Sequence, residues 1–258
     1  MSKSSVVAVL MCLLPFTGVG QQNRLKDFNQ IGWFVYNGDH KLSKKWELHT
    51  EYQWRRVNWV TAWQQSLARV GTVYSLNDKV KFGFGYTNLI TYPYGDYPTA
   101  ETGVPYPEHR LYEDIQIADT IGVIQLSHRF RLEQRWISEM APDGSHRIID
   151  WDYQHRIRYQ IEAVVPLQGR TIENNEFYLS FFDELFISFG KNVGYNTFNQ
   201  NRISGGLGYQ VRDNLKLELG YLYQVTQHPE ADPITNSRVF EYNTGFRLNV
   251  AYDLDFTR

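Results

Sequence analysis

Cysteine is almost missing from this chain. The single one, Cys12, lies in an N-terminal apolar stretch, 6–16, between the basic start Met1-Ser2-Lys3-Ser4-Ser5 and the small residues Thr17-Gly18-Val19-Gly20. That order predicts a secretory signal peptide over 1–20 and an exported chain over 21–258. Val9-Leu10-Met11-Cys12 lacks the small residues of a lipoprotein signal. An exported chain without cysteine has no disulfide, no thiolate nucleophile and no cysteine metal site. Long apolar runs are missing too. A helix needs about 20 apolar residues to cross a bilayer; 6–16 is shorter, and no longer run follows it. This excludes a helical membrane protein. Net charge is scarce: 26 Lys+Arg against 28 Asp+Glu leaves −2, so neither a nucleic-acid partner nor an acidic tail is implied. Linkers and low-complexity tracts are also missing, which leaves one domain over 21–258.

What the chain does have is alternation. In the stretch His128-Arg129-Phe130-Arg131-Leu132-Glu133-Gln134-Arg135-Trp136, the odd positions from 129 to 135 are all charged, and the even ones include Phe130, Leu132 and Trp136. Successive side chains of a strand point to opposite faces. A strand here has one charged face and one largely apolar face, as in a membrane barrel with a polar lumen. The pattern recurs. Trp46, Leu48, Thr50, Tyr52 and Trp54 alternate with Glu47, His49, Glu51, Gln53 and Arg55. Ile149, Trp151, Tyr153, Ile157, Tyr159 and Ile161 alternate with Asp150, Asp152, Gln154, Arg156, Arg158 and Glu162. A first strand over 28–36 puts Ile31, Trp33 and Val35 on one side, and 177–189 is apolar on both faces.

Many of these segments are longer than the 5–6 residues or so of a soluble strand and reach the 9–11 or so that span a membrane. Short turns near 40, 77, 120 and 213 alternate with longer loops near 100, 142, 195 and 232, the asymmetry of periplasmic turns and extracellular loops. The aromatic content, 16%, fits interfacial girdles. The expectation is an all-β fold, an antiparallel transmembrane β-barrel of 10–12 strands in the outer membrane. Eleven segments can be traced, and the even count of bacterial barrels selects twelve. An extra span is then sought in 92–112 or 163–177, or 24–28 threads the lumen. Thr244-Gly245-Phe246-Arg247-Leu248-Asn249-Val250 resembles the terminal signal read by the barrel-assembly machinery, which joins outer-membrane lipid as an expected partner.

His128-Arg129-Phe130-Arg131-Leu132-Glu133-Gln134-Arg135, Arg156-Ile157-Arg158-Tyr159 leading to Pro166-Leu167, Asp183-Glu184-Leu185-Phe186, and Phe198-Asn199-Gln200-Asn201-Arg202 together resemble domain-of-unknown-function family 2490. These are exported bacterial proteins expected to be outer-membrane barrels. The resemblance covers most of the exported chain. It implies fold and location and supplies no activity, cofactor or catalytic residue.

The strand faces nominate a luminal charge array: Glu47, Glu51, Arg55, Arg129, Arg131, Glu133, Arg135, Asp152, Arg156, Arg158, Glu184, Arg202, Glu218 and Arg247. His49, Arg69, Asp150, Glu162, Lys216 and Glu241 share its parity. Buried charges must pair, so a structural network is one expectation. A narrow channel or solute-binding barrel is the other, and arginine forks then favour a small anionic solute. Two alternatives stand beside these: a lipid-modifying outer-membrane hydrolase and a soluble periplasmic ligand-binding β-barrel. The hydrolase would use His128 and His155, placed across from each other on neighbouring strands, with Ser127 or Ser138 nearby. As a metal site that histidine pair has no third ligand, and neither metal nor cofactor is expected. Asp183 has lipid-facing parity unless a bulge re-aims it. Gly205-Gly206-Leu207-Gly208 lies inside a strand, so it gives curvature or room for luminal side chains and no dinucleotide loop. Tyr92-Pro93-Tyr94-Gly95-Asp96-Tyr97-Pro98 is expected at the surface, as a partner-binding loop or a self-packed lid.

Overall fold

The computed structural model describes residues 24–100 and 102–257; the predicted signal peptide and Cys12 lie outside the described residues. Among the described residues eleven strands follow one another without a helix: β1 Arg24–Lys41, β2 Trp46–Val57, β3 Ala62–Ser75, β4 Val80–Thr91, β5 Tyr106–Ile121, β6 Ile124–Met140, β7 Ile148–Pro166, β8 Glu176–Phe189, β9 Phe198–Arg212, β10 Leu215–Ala231 and β11 Arg238–Tyr252. Each pairs with its sequence neighbours, and the sheet closes into a barrel.

The described barrel has eleven strands where twelve were expected. β1 and β11 close it as a parallel pair, in register from Arg24↔Arg238 to Asn37↔Ala251. That pairing accommodates an odd count, which an all-antiparallel closure cannot. Residues 24–28 do not thread the lumen; they are the first residues of β1 in the wall. The turn placed near 40 falls instead at 42–45, because β1 continues to Lys41. Residues 92–105 and 167–175 are connections and add no span. Beyond β11 the chain continues along β1, with Lys41 N donating to Leu254 O and Phe256 N to Lys41 O.

One end of the barrel carries the connections 42–45, 76–79, 122–123, 167–175 and 213–214; the other carries 58–61, 92–105, 141–147, 190–197 and 232–237. These are called the turn end and the loop end. The expected asymmetry holds apart from the short 58–61 and the longer 167–175. Alternation sets the two faces. Phe84, Phe130, Ile157, Phe181, Ile203 and Leu219 point outward and are exposed, while Arg131, Glu133, Arg156, Arg158 and Glu184 point inward and are buried. Outward aromatics gather toward both ends. Trp46 packs on Tyr74 and Phe177 on Tyr209 at the turn end; Phe28 packs on Tyr242 and Trp136 on Tyr153 at the loop end.

β1 and β8 carry apolar residues on both faces, and those of the inner faces put hydrophobic side chains inside the lumen. Ile31, Trp33 and Val35 cluster with Val57 and Leu222, and Tyr94 and Phe182 pack against them. Glycines make room for the larger ones, as expected for 205–208. A Cβ at Gly208 would lie 2.2 Å from the Tyr178 ring, and one at Gly71 would lie 2.4 Å from the Tyr112 hydroxyl.

Candidate functional site

The charged face of β6 sits between β5 and β7, so its odd residues meet luminal partners on both sides. Arg131 pairs with Asp114 of β5, and Arg135 donates to Glu108 through Nε at 2.6 Å and Nη2 at 3.1 Å. Arg110 holds the same Glu108 carboxylate, at 2.6 and 2.8 Å. On the other side, Glu133 Oε2 accepts from Arg156 Nε at 2.8 Å, and Glu133 Oε1 from Arg158 Nη1 at 2.6 Å. Arg158 continues to Glu184 Oε1 at 2.6 Å, where Arg129 also donates at 3.0 Å. Arg202 reaches Glu184 only at 3.8 Å. Glu133 and Glu184 are 1% and 2% exposed. Two carboxylates thus hold four arginines across the middle of the lumen. Hydrogen bonds between ionised partners such as these are about twice as strong as neutral ones.

The remaining predicted residues fall around this centre. Glu51 pairs with Arg69, and Lys81 donates to Glu47 at 2.8 Å. Glu218 accepts from Tyr178 at 3.0 Å and lies 3.5 Å from Arg247. Asp152 lines the cavity described below. The alternation therefore placed the array on the luminal face. It missed Glu108, Arg110 and Asp114. Glu108 lies at the start of β5, next to the long connection 92–105, and the pattern of β5 is masked by Glu113, which points outward and accepts from Gln134 at 3.1 Å. A strand with a carboxylate on each face shows no clean alternation. The inward aromatics were missed as well. Arg131 lies 4.1 Å from the Tyr112 ring centre, and Arg158 and Arg202 each lie 4.5 Å from that of Phe186, close enough for cation–π attraction.

Toward the loop end the lumen opens into a cavity of about 440 Å³. Five arginines from five strands line it: Arg55 of β2, Arg110 of β5, Arg135 of β6, Arg156 of β7 and Arg202 of β9. Four of them contact a carboxylate, as above. Arg55 does not. It is 6% exposed and donates to Gln53 Oε1 at 2.7 Å and to Gln65 Oε1, with its guanidinium 3.9 Å from the Trp33 ring centre. Arg202 and Arg110 are near enough to repel it, and Glu51 attracts it without forming an ion pair.

Loop 92–105 folds into the barrel mouth, which makes it a packed lid. Gln64 accepts from Trp33 Nε1 at 2.7 Å and donates to the Tyr94 hydroxyl at 3.3 Å, and Tyr94 donates to Glu241 Oε2 at 3.0 Å. Burial and the Glu241 carboxylate push the Tyr94 hydroxyl well above the usual phenol range, so it keeps its proton and stays a donor. Tyr97 N donates to Asp27 at 3.4 Å.

The residues proposed for hydrolysis are not brought together. His128 pairs in register with Ile161 and contacts the Tyr159 hydroxyl at 2.9 Å, whereas His155 lies opposite Gln134 and stacks on Phe189. Ser127 and Ser138 donate to Glu162 and to Pro107 O. Ser127 faces the opposite side of the sheet from the adjacent His128, and Ser138 lies four positions along β6 from Gln134, the residue opposite His155, so neither serine reaches a histidine as a nucleophile must. Asp183 faces outward, is not re-aimed by a bulge, and accepts from Asn201 at 2.6 Å.

A comparison with curated proteins found no match. Among solved structures, the chain is similar to one described as the NanC porin in a rhombohedral crystal form: 12% identity, 87% of this chain and 98% of that chain covered, TM-score 0.49. The family model described as "Protein of unknown function (DUF2490)" matches residues 30–235. The motifs of β6, β7, β8 and β9 that build the luminal network lie inside that span, and the chain belongs to this family, DUF2490.

Proposed function

We propose that the protein spans the bacterial outer membrane as a single barrel and holds a small carboxylate- or phosphate-bearing solute in the cavity at its loop end. The wall supports the first part. Outward side chains such as Phe84, Phe130, Phe181 and Leu219 form an exposed apolar belt around the barrel. Soluble monomers rarely carry apolar patches beyond a few hundred Å², and a lipid surround removes that difficulty. The glycine-containing end of β11 would be read by the barrel-assembly machinery, with the loop end facing outward.

One observation carries the solute reading: Arg55 is buried beside the cavity with no carboxylate against it among the described residues. An uncompensated buried charge is costly, and an anion in the cavity supplies the missing partner. The lumen beyond is obstructed by the Glu133–Arg156–Arg158–Glu184 network and the Trp33 cluster. Passage through it is narrow at most. That network favours a second reading, a structural barrel without solute.

The purified protein in detergent should show heat-modifiable gel migration, and recovery from the periplasm without detergent would remove the membrane assignment. Succinate titrated calorimetrically should bind the intact protein and not Arg55→Met. If succinate leaves both silent and planar bilayers show no conductance, the structural barrel is the correct reading.

A further inference from the structure

We infer that the solute of the loop-end cavity is a zwitterion, with its carboxylate on Arg55 and Arg202 and its ammonium toward the acidic rim of β6–β7. This rests on the solute reading above and names the class of solute. The basis is that the cavity's charges are sorted by depth. Its arginines sit inside. Its rim carries Glu139, Asp152 and Glu230, with Asp150 in register beside Glu139. Glu139, Asp150 and Asp152 share the luminal parity of their strands and repel one another. None of these four forms an ion pair among the described residues, and the nearby Arg147 is engaged with Asp143 at 3.9 Å. Among the described residues, a buried guanidinium is therefore left without a carboxylate at one end of the cavity and carboxylates without a cation at the other.

A simple anion satisfies only the first of these, and on entry it must pass the second. A simple cation meets the reverse. A solute carrying both charges satisfies both and is oriented by them, since opposed potentials fix the register of a bound partner. The spacing between the rim carboxylates and the inner layer of arginines can be read from β6 and β7. Asp152 and Arg156 lie four positions apart on β7, as do Glu139 and Arg135 on β6, about 13 Å at the rise of a strand. The arginine side chain shortens this gap. An extended tripeptide covers about 10 Å, so the class is short peptides with free ends.

The test uses the full-length protein in detergent and three calorimetric probes: triglycine, N-acetyl-triglycine and triglycine amide. Triglycine should bind, and blocking either end should weaken it by roughly tenfold or more, the worth of one charge-assisted contact. In Glu139→Gln/Asp152→Asn, triglycine should fall to the level of N-acetyl-triglycine, whose own binding should not change. These side chains are at the open rim, so folding is not at issue. Equal binding of triglycine and N-acetyl-triglycine to the intact protein overturns the zwitterion and leaves the anion site standing. Binding of succinate without any binding of triglycine does the same. Silence toward succinate and all three peptides removes both readings.

Discussion

Arg158 and Arg55 are both luminal guanidiniums, 5% and 6% exposed, yet they live under opposite conditions. Arg158 bridges Glu133 and Glu184. Arg55 has two glutamines and the face of Trp33. The same parity on a strand delivered both to the lumen, and only the facing strands decide whether the charge is neutralised. β6, β7 and β8 bring carboxylates and arginines into register; β2 and β9 bring Arg55 and Arg202 to the cavity with one distant carboxylate between them. A barrel can thus be rigid and self-paired along one wall while another keeps charge for a guest.

The largest difference between the two should appear on removing a carboxylate from the paired wall. Glu133→Ala leaves Arg156 and Arg158 buried with half of their partners gone. Breaking a buried pair in this way costs about 3–5 kcal/mol. Urea unfolding in detergent, or the temperature of the heat-modifiable shift, measures it. A loss under about 1 kcal/mol, the range of exposed pairs, would show that the wall is hydrated and not a sealed network.

How far this comparison was legible in the sequence depends on the strand. For β6 and β7 the alternation of charged and apolar residues announced face, parity and most of the array. It could not announce partners, because strand neighbours such as Glu133↔Arg156 are fixed by register, which period-2 patterning leaves open except for its parity. β1 and β8 were opaque for a different reason. Ile31, Trp33, Tyr178, Phe182 and Phe186 face a lumen that the polar-inside expectation reserves for hydrophilic groups. The parallel β1/β11 closure was hidden because nothing in the sequence of 24–28 tells a wall strand from a luminal thread.

The outer wall offers a contrast to the lumen. Asp183 is a charged group on the apolar face, in mid-strand, with Asn201 as its partner. In lipid, Asp183→Leu should raise stability, by up to about 2 kcal/mol, given the depth-dependent cost of lipid-facing charges. In water the same change would enlarge an exposed apolar patch and promote aggregation. Unfolding in lipid vesicles, compared with sedimentation without detergent, separates the two environments.

A smaller effect is expected where a neutral donor meets a buried carboxylate. Tyr94→Phe removes the hydroxyl that ties loop 92–105 to Glu241, while Asn243 still donates to the same oxygen at 3.1 Å. The cost should be about 1 kcal/mol, the net worth of one hydrogen bond. Limited proteolysis should show faster cleavage within the loop and unchanged cleavage at 141–147. An unaltered pattern would mean that Tyr97 on Asp27 and the packing against Trp33 hold the lid on their own.

The smallest effect on stability is expected at Arg55 itself. Arg55→Met relieves a buried, unpaired charge whose desolvation costs several kcal/mol. It forfeits hydrogen bonds to Gln53 and Gln65 and the stack on Trp33. Those contacts are worth about 1.5–3 kcal/mol for each charged hydrogen bond and roughly 2 for a desolvated cation–π pair. Gains and losses oppose each other, and methionine refills the apolar volume beside Trp33 while Gln53 Oε1 and Gln65 Oε1 lose their guanidinium donor. The net change should lie within about 1 kcal/mol of zero, well below that of Glu133→Ala. If Arg55→Met is instead as damaging as Glu133→Ala, the glutamines fully compensate the charge. Arg55 is then part of the wall, and the cavity has no guanidinium to offer a solute.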